Sequence, residues 1–239
     1  MNAAQATGLE SRMEETMMVN RLQAGYAITV AALLTLDPQA RPVDWSESHD
    51  GLPPRINVRV HNYAQVSSEI LTQAETEAAE ILGKAGIEIN WTNCDPTRKD
   101  LGDANECNQL LRPTNLAVRI LPYFGVMPGT DKNTMGFALG NLASVSVRRV
   151  SEEAAEFGVK PYEVLGPAIA HELGHMLLGQ RGHSPSGIMR TRWRREDYER
   201  APRGAFKFTA EQAEQMRAEV AGRNRMQRAE ALLEIAAWR

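Results

Sequence analysis

A change of hydrophobic period between residues 56 and 91 limits the possible folds of this chain more than any other feature. In INVRVHNYA (56–64) apolar and polar residues alternate, the period of a half-buried strand. From Val66 to Ala85 the apolar positions Val66, Ile70, Ala74, Ala78, Ile81 and Ala85 recur every three or four residues, the stripe of an amphipathic helix that Gly86 is placed to end. Ile87, Ile89 and Trp91 then alternate again. A strand, a helix and a second strand in that order predict a parallel pair with the helix packed on one face. LAVRILPY (116–123) reads as another strand, and FAL with ASVSVRRV (137–150) as two shorter strands or one with a bend. From Ser151 to about Leu178 the pattern is helical, broken by Gly158, Pro161 and Pro167, with Gly166-Pro167 read as the start of the last helical stretch. A final helix begins near Thr209, where Thr209-Ala210-Glu211-Gln212 has the form of a capping box. The expected fold is a mixed α/β (α+β) sheet followed by helices.

Length and composition fit that expectation. A chain of 239 residues, 43% of them hydrophobic, is long enough to bury a real core. With 27 basic against 30 acidic residues there is no general reason to expect a nucleic-acid partner. The run AGYAITVAALLTL (Ala24–Leu36) carries no charge, follows Arg21 and ends at Asp37-Pro38. It is too short to span a bilayer of roughly 30 Å as a helix and fits the core of a secretory signal, with Ala40 closing a small-residue cleavage site. A start at Met18 gives the better leader; the alternative is a buried N-terminal helix. Residues 1–40 are therefore expected to be a signal region and 41–55, rich in Pro, Ser, Asp and Gly, a linker. Residues 56–239 then form the functional domain, secreted or periplasmic, with no stable membrane span after processing. In an oxidising compartment Cys94 and Cys107, separated by a polar loop, are expected to pair, a closure worth roughly 3 kcal/mol.

Three of the five histidines fall in AHELGHMLLGQRGHSPSGIM (170–189). His171 and His175 are four apart on a predicted helix, so their rings share one face. That spacing suits two imidazoles on one zinc ion at about 2.0–2.1 Å. Glu172 is rotated off the ligand face, where it can reach a zinc-bound water without taking a ligand position. His-Glu-x-x-His is thus a short motif with a mechanism, although two buried histidines can also serve packing alone. Gly179 can turn the chain back, His183 can bring a third nitrogen, and Ser186-Gly187-Ile188-Met189 forms a tight turn ending in methionine.

This segment resembles the metzincin zinc metallopeptidases, whose signature is H-E-x-x-H-x-x-G-x-x-H followed by a methionine turn. It resembles still more closely small secreted bacterial proteins carrying HELGH-x-L-L-G, a histidine and then G-I-M. The resemblance implies His171, His175 and His183 as ligands of one catalytic Zn2+, Glu172 as general base and Met189 as the turn methionine. It implies a metzincin-like mixed twisted sheet with a backing helix, an active-site helix and a C-terminal helix. In the signature the glycine is third and the last histidine sixth after the second histidine. Here Leu178 holds the glycine position and His183 is eighth, so the loop is two residues longer. Glu196 and Asp197 are the competing third ligands.

The function expected on this basis is that of a zinc-dependent endopeptidase acting on peptides or proteins by a Glu-activated, zinc-bound water. The alternatives are a zinc-stabilised binding protein of the same fold without catalysis, or a zinc hydrolase of non-peptide or cell-wall amides. His61 and His49 read as structural or solvated. The run RTRWRREDYERAPR (190–203) reads as a solvated basic face, with a rim for acidic peptides as the alternative. Tyr198 is a candidate transition-state hydrogen-bond donor, by analogy with relatives that place a tyrosine after the turn. Residues 135–147 are expected to include the edge strand that pairs with an extended substrate.

Overall fold

Alternating burial builds the first strand, β1 (Arg55–Asn62): Ile56, Val58 and Val60 are fully buried on one face. The opposite face is polar, and Asn57 links the neighbouring strands there. Its amide donates to Asn115 Oδ1 at 3.1 Å and its oxygen accepts from Asn90 Nδ2 at 3.2 Å. The structure is a computed structural model that describes residues 53–94, 107, 111–125, 133–179 and 182–237. The chain divides into two compact units, Met1–Gly51 and Leu52–Arg239, and every described residue belongs to the second. The expected signal region, the Met18 start, His49, most of the linker and the loop between the cysteines lie outside the described residues. Among the described residues no helix is long and apolar enough to cross a membrane.

After β1 come α1 (Ser68–Lys84), β2 (Glu88–Cys94), β3 (Asn115–Leu121), β4 (Gly136–Leu139), β5 (Leu142–Ser146), α2 (Val147–Phe157) and α3 (Pro161–Leu178). A short α4 (Arg195–Glu199), a 3-10 turn (Ala201–Arg203) and the long α5 (Ala210–Ala237) complete the unit. The sheet order is β2-β1-β3-β5-β4; β1 runs parallel to β2 and β3, and β3 to β5. β4 is antiparallel to β5 and forms one edge. This is the expected mixed α/β sheet, with the strand–helix–strand opening giving the parallel β1–β2 pair. Cys94 and Cys107 form a disulfide with Cα atoms 5.6 Å apart.

Two helical details differ from the sequence reading. Residues Val147 to Val150, expected to continue a strand, begin α2, because Ser146 caps that helix by accepting from the Arg149 N–H. Gly158 ends it in the left-handed region at φ 70°. Pro167 does not start the next helix but lies inside it. The start is Pro161, where the Glu163 carboxylate accepts from the Lys160 N–H at 2.7 Å and closes the first turn. An interior proline forfeits one backbone hydrogen bond, at a cost on the order of 3 kcal/mol in isolation. Burial offsets this: Val164 through Ala170 are all buried. Helices α1 and α3 cross closely, since a Cβ on Gly166 would meet Glu77 Cβ at 2.5 Å and the Ala74 carbonyl at 2.8 Å. The capping box at Thr209 forms as expected: Thr209 N donates to Gln212 Oε1 at 3.0 Å and Gln212 N to Thr209 Oγ1 at 3.2 Å.

Candidate metal centre

Helix α3 is apolar nearly all round, as a helix enclosed by other elements must be. One stripe departs from this: His171, Glu172 and His175, with Ala168 one turn before them, line a cleft of about 1090 Å³. His183, on the loop after α3, faces the same space. His175 Nε2 lies 3.1 Å from His171 Nε2 and 3.1 Å from His183 Nε2. One ligand nitrogen from each ring falls within 4.8 Å of the others.

The hydrogen bonds determine which ring nitrogens carry protons. His171 Nδ1 is 2.8 Å from the Ile188 carbonyl and His175 Nδ1 is 3.4 Å from the Gly179 carbonyl. A carbonyl only accepts, so each Nδ1 is the N–H and each Nε2 of the neutral rings presents a lone pair. Burial, opposed by the Ile188 hydrogen bond and aided by the neighbouring His175 and His183, lowers the His171 pKa to about 4. Burial lowers His175 and His183 as well. Converging lone pairs repel one another unless a cation sits among them. Two nitrogens bound to one tetrahedral zinc at about 2.0–2.1 Å stand roughly 3.3–3.4 Å apart, close to the separations found here. The residues fit a zinc ion.

Glu172 completes the floor. It is 5% exposed, its Oε2 is buried without a hydrogen-bond partner among the described residues, and burial pushes its carboxyl up to about 8. Strand β4 passes directly over it: a Cβ on Gly136 would lie 2.5 Å from Glu172 Oε1. Beneath the helix, a Cβ on Gly174 would meet Met189 Sδ at 2.5 Å, so Met189, fully buried, packs against the α3 backbone between the two histidines. Its turn needs Gly187, which has φ 77° and whose Cβ would strike the Lys207 carbonyl oxygen.

No protein-family model matches the chain, and no curated protein matches its sequence. Among solved structures it is similar to an archaemetzincin from Methanopyrus kandleri, at 17% identity and a TM-score of 0.45 over 70% of this chain and 97% of that one. It is also similar to metalloproteinase-II from Bacteroides fragilis, at 14% identity and a TM-score of 0.45 over 70% of this chain and 53% of that one.

Other residues singled out from the sequence have different roles. Tyr198 is 5% exposed and its hydroxyl donates to Glu153 Oε1 at 2.6 Å, so it braces α4 against α2 and is not free to donate to a substrate. Asp197 accepts from Arg190 Nη1 at 3.0 Å and from the Arg194 N–H at 2.8 Å, which commits it to capping α4; neither it nor Glu196 joins the histidines. The basic run is partly structural: Arg195 donates to the Glu156 and Phe157 carbonyls at 2.9 and 2.8 Å, while Arg192 lines the cleft. His61 is on β1, stacked on Tyr63 at 6.0 Å, and belongs neither to the histidine group nor to the cleft lining. Trp193 was not foreseen. Its indole N–H donates at 3.1 Å to the same Ile188 carbonyl that orients His171, and its ring lies edge-on to His171 at 5.7 Å.

Proposed function

We propose that this chain is a metzincin-like zinc endopeptidase in which His171, His175 and His183 hold one Zn2+ and Glu172 is the general base. The observation that carries this reading is the pairing of two features: three Nε2 atoms converging from one helix and one loop, and the buried, unpartnered Glu172 Oε2 beside them. A zinc ion in such a site supplies Lewis acidity, polarising a carbonyl and making water more acidic.

The chain's own groups account for the remaining steps. β4, the edge strand of the sheet and part of the cleft lining, is the element on which an extended peptide laid along the cleft would pair. That pairing holds the scissile carbonyl over the α3 histidines. Glu172 takes a proton from the attacking water and passes it to the leaving amide nitrogen. The Ile188 and Gly179 carbonyls keep the two imidazoles in the tautomer that offers Nε2. A structural zinc has a closed shell of protein ligands, whereas three donors beside an unused carboxylate leave a position open, which favours catalysis over a purely binding role.

The disulfide fits an oxidising compartment, and we infer that the uncharged run Ala24–Leu36 directs export with cleavage after Ala40. N-terminal sequencing of exported material tests this; an uncleaved cytosolic product refutes it.

Metal analysis of the purified chain, followed by a peptide-library digest with and without chelator, tests the activity. About one zinc per chain and chelator-sensitive cleavage are expected. Glu172→Gln should abolish cleavage with zinc retained, and His183→Ala should lose zinc. Zinc binding with no cleavage of any peptide would leave the binding-protein reading standing instead.

A further inference from the structure

His183 is the exposed member of the three histidines, and its loop is the one that is two residues longer than the signature. Little packing restrains such a ring, so its position depends on what holds the backbone beside it. Helix α3 ends at Gly179, whose φ of 79° turns the chain out of the helix. Gly182 N donates to the Gly179 carbonyl at 3.1 Å, and beyond His183 the Ser184 N–H donates to the Met189 carbonyl at 2.9 Å. The Gly182 carbonyl, one peptide before the histidine, accepts from Gln212 Nε2 at 2.8 Å. Gln212 belongs to the first turn of α5, an element far away in sequence.

The same side chain is already occupied on its other atom. Gln212 Oε1 accepts from the Thr209 N–H at 3.0 Å, closing the helix cap. A backbone N–H only donates, so the amide atom facing Thr209 must be oxygen, and the atom facing Gly182 must be nitrogen. The cap therefore fixes the orientation of the amide that holds the loop.

We propose that Gln212 is a positioning residue for His183, fastening the longer ligand loop to the N-terminus of α5; this rests on the zinc centre proposed above. The two extra residues of the loop widen the arc that His183 can sweep, and the Gln212 bond to the adjacent carbonyl narrows it again. The α5 capping box and the third metal ligand are thereby one connected unit.

Two substitutions separate this role from helix capping. Gln212→Glu keeps an oxygen for the Thr209 N–H but removes the donor to Gly182. Thr209→Ala removes the Oγ1 cap but leaves the Gln212 amide. Zinc affinity is read by competition with a chromophoric chelator, the melting temperature is measured on the zinc-free chain, and the visible spectrum is recorded after cobalt substitution. Loss of an outer partner of a ligand weakens metal binding by roughly 10–100-fold, so Gln212→Glu should raise the zinc Kd at least about tenfold and alter the cobalt spectrum. Its zinc-free melting temperature should match wild type. Thr209→Ala should melt lower with its zinc Kd unchanged. An unchanged zinc Kd in Gln212→Glu overturns the role of Gln212 alone, as does an equal loss of affinity in Thr209→Ala. A wild-type chain that binds no zinc overturns the metal centre itself, and this role with it.

Discussion

Gly136→Ala inserts one methyl group where β4 crosses the proposed general base. The added Cβ would stand 2.5 Å from Glu172 Oε1, 2.8 Å from Cδ and 2.9 Å from Cγ. Ordinary contact between such atoms is about 3.5 Å, so a displacement of about 1 Å is required. The neighbouring atoms belong to a buried carboxylate on a fully packed helix, so the partner that yields is β4, which among the described residues pairs with β5 at the edge of the sheet. Either the strand moves away from the cleft floor or the carboxylate swings off its direction. A misplacement of about 1 Å at a reacting group costs roughly a hundredfold in rate. Overpacking costs about 1–3 kcal/mol, and each kcal/mol lowers the melting temperature of a chain this size by roughly 2–4 °C. The expected variant is folded, holds zinc as wild type does, melts a few degrees lower and cleaves about a hundredfold more slowly. The assay is kcat/KM on a peptide chosen from the library digest, with zinc analysis and a thermal melt on the same preparation. Wild-type turnover would refute the close approach. Loss of zinc together with activity would show that Gly136 supports the ligands and not the carboxylate.

Two further outcomes concern stability. Glu75 is 6% exposed, with Oε1 unpartnered among the described residues and Oε2 accepting from Asn93 Nδ2 at 3.4 Å; burial raises its carboxyl above the usual value of 4.5, the Asn93 bond opposing. The stability this group contributes is therefore full below its unfolded pKa and is lost as pH rises through the folded one. The melting temperature of Glu75→Gln relative to wild type should improve as pH rises from about 4.5 toward 7, and a difference that stays constant across that window would contradict the assignment. Arg223 ties α5 to three elements, donating to the Pro113 carbonyl at 3.2 Å, Asn141 Oδ1 at 2.9 Å and the Met176 carbonyl at 2.8 Å. Arg223→Met keeps the stem and removes these bonds, so urea unfolding should show a loss of about 2–4 kcal/mol; a loss under about 0.5 kcal/mol would mean that water replaces them.

Local pattern and tertiary placement divide this protein along a physical line. Period-two and period-3.6 spacing act within a few residues, so Ile56, Val58 and Val60 announced β1 and Ala74, Ala78 and Ile81 announced α1. The i, i+4 spacing of His171 and His175 put both rings on one helix face for the same reason, and Thr209 with Gln212 marked the start of α5 within one turn. What the chain meets across space follows no such period. Pro167 sits inside α3 because burial against α1 outweighs one missing hydrogen bond. Tyr198 and Asp197 looked free in sequence and are taken up by Glu153 and Arg190. Gly136 meets Glu172 only because the sheet ends in an antiparallel edge strand beside α3. The position of His183 depends on an amide from the last helix. Residue types and short-range geometry named the histidines and the carboxylate; contacts between distant segments decided how they are held.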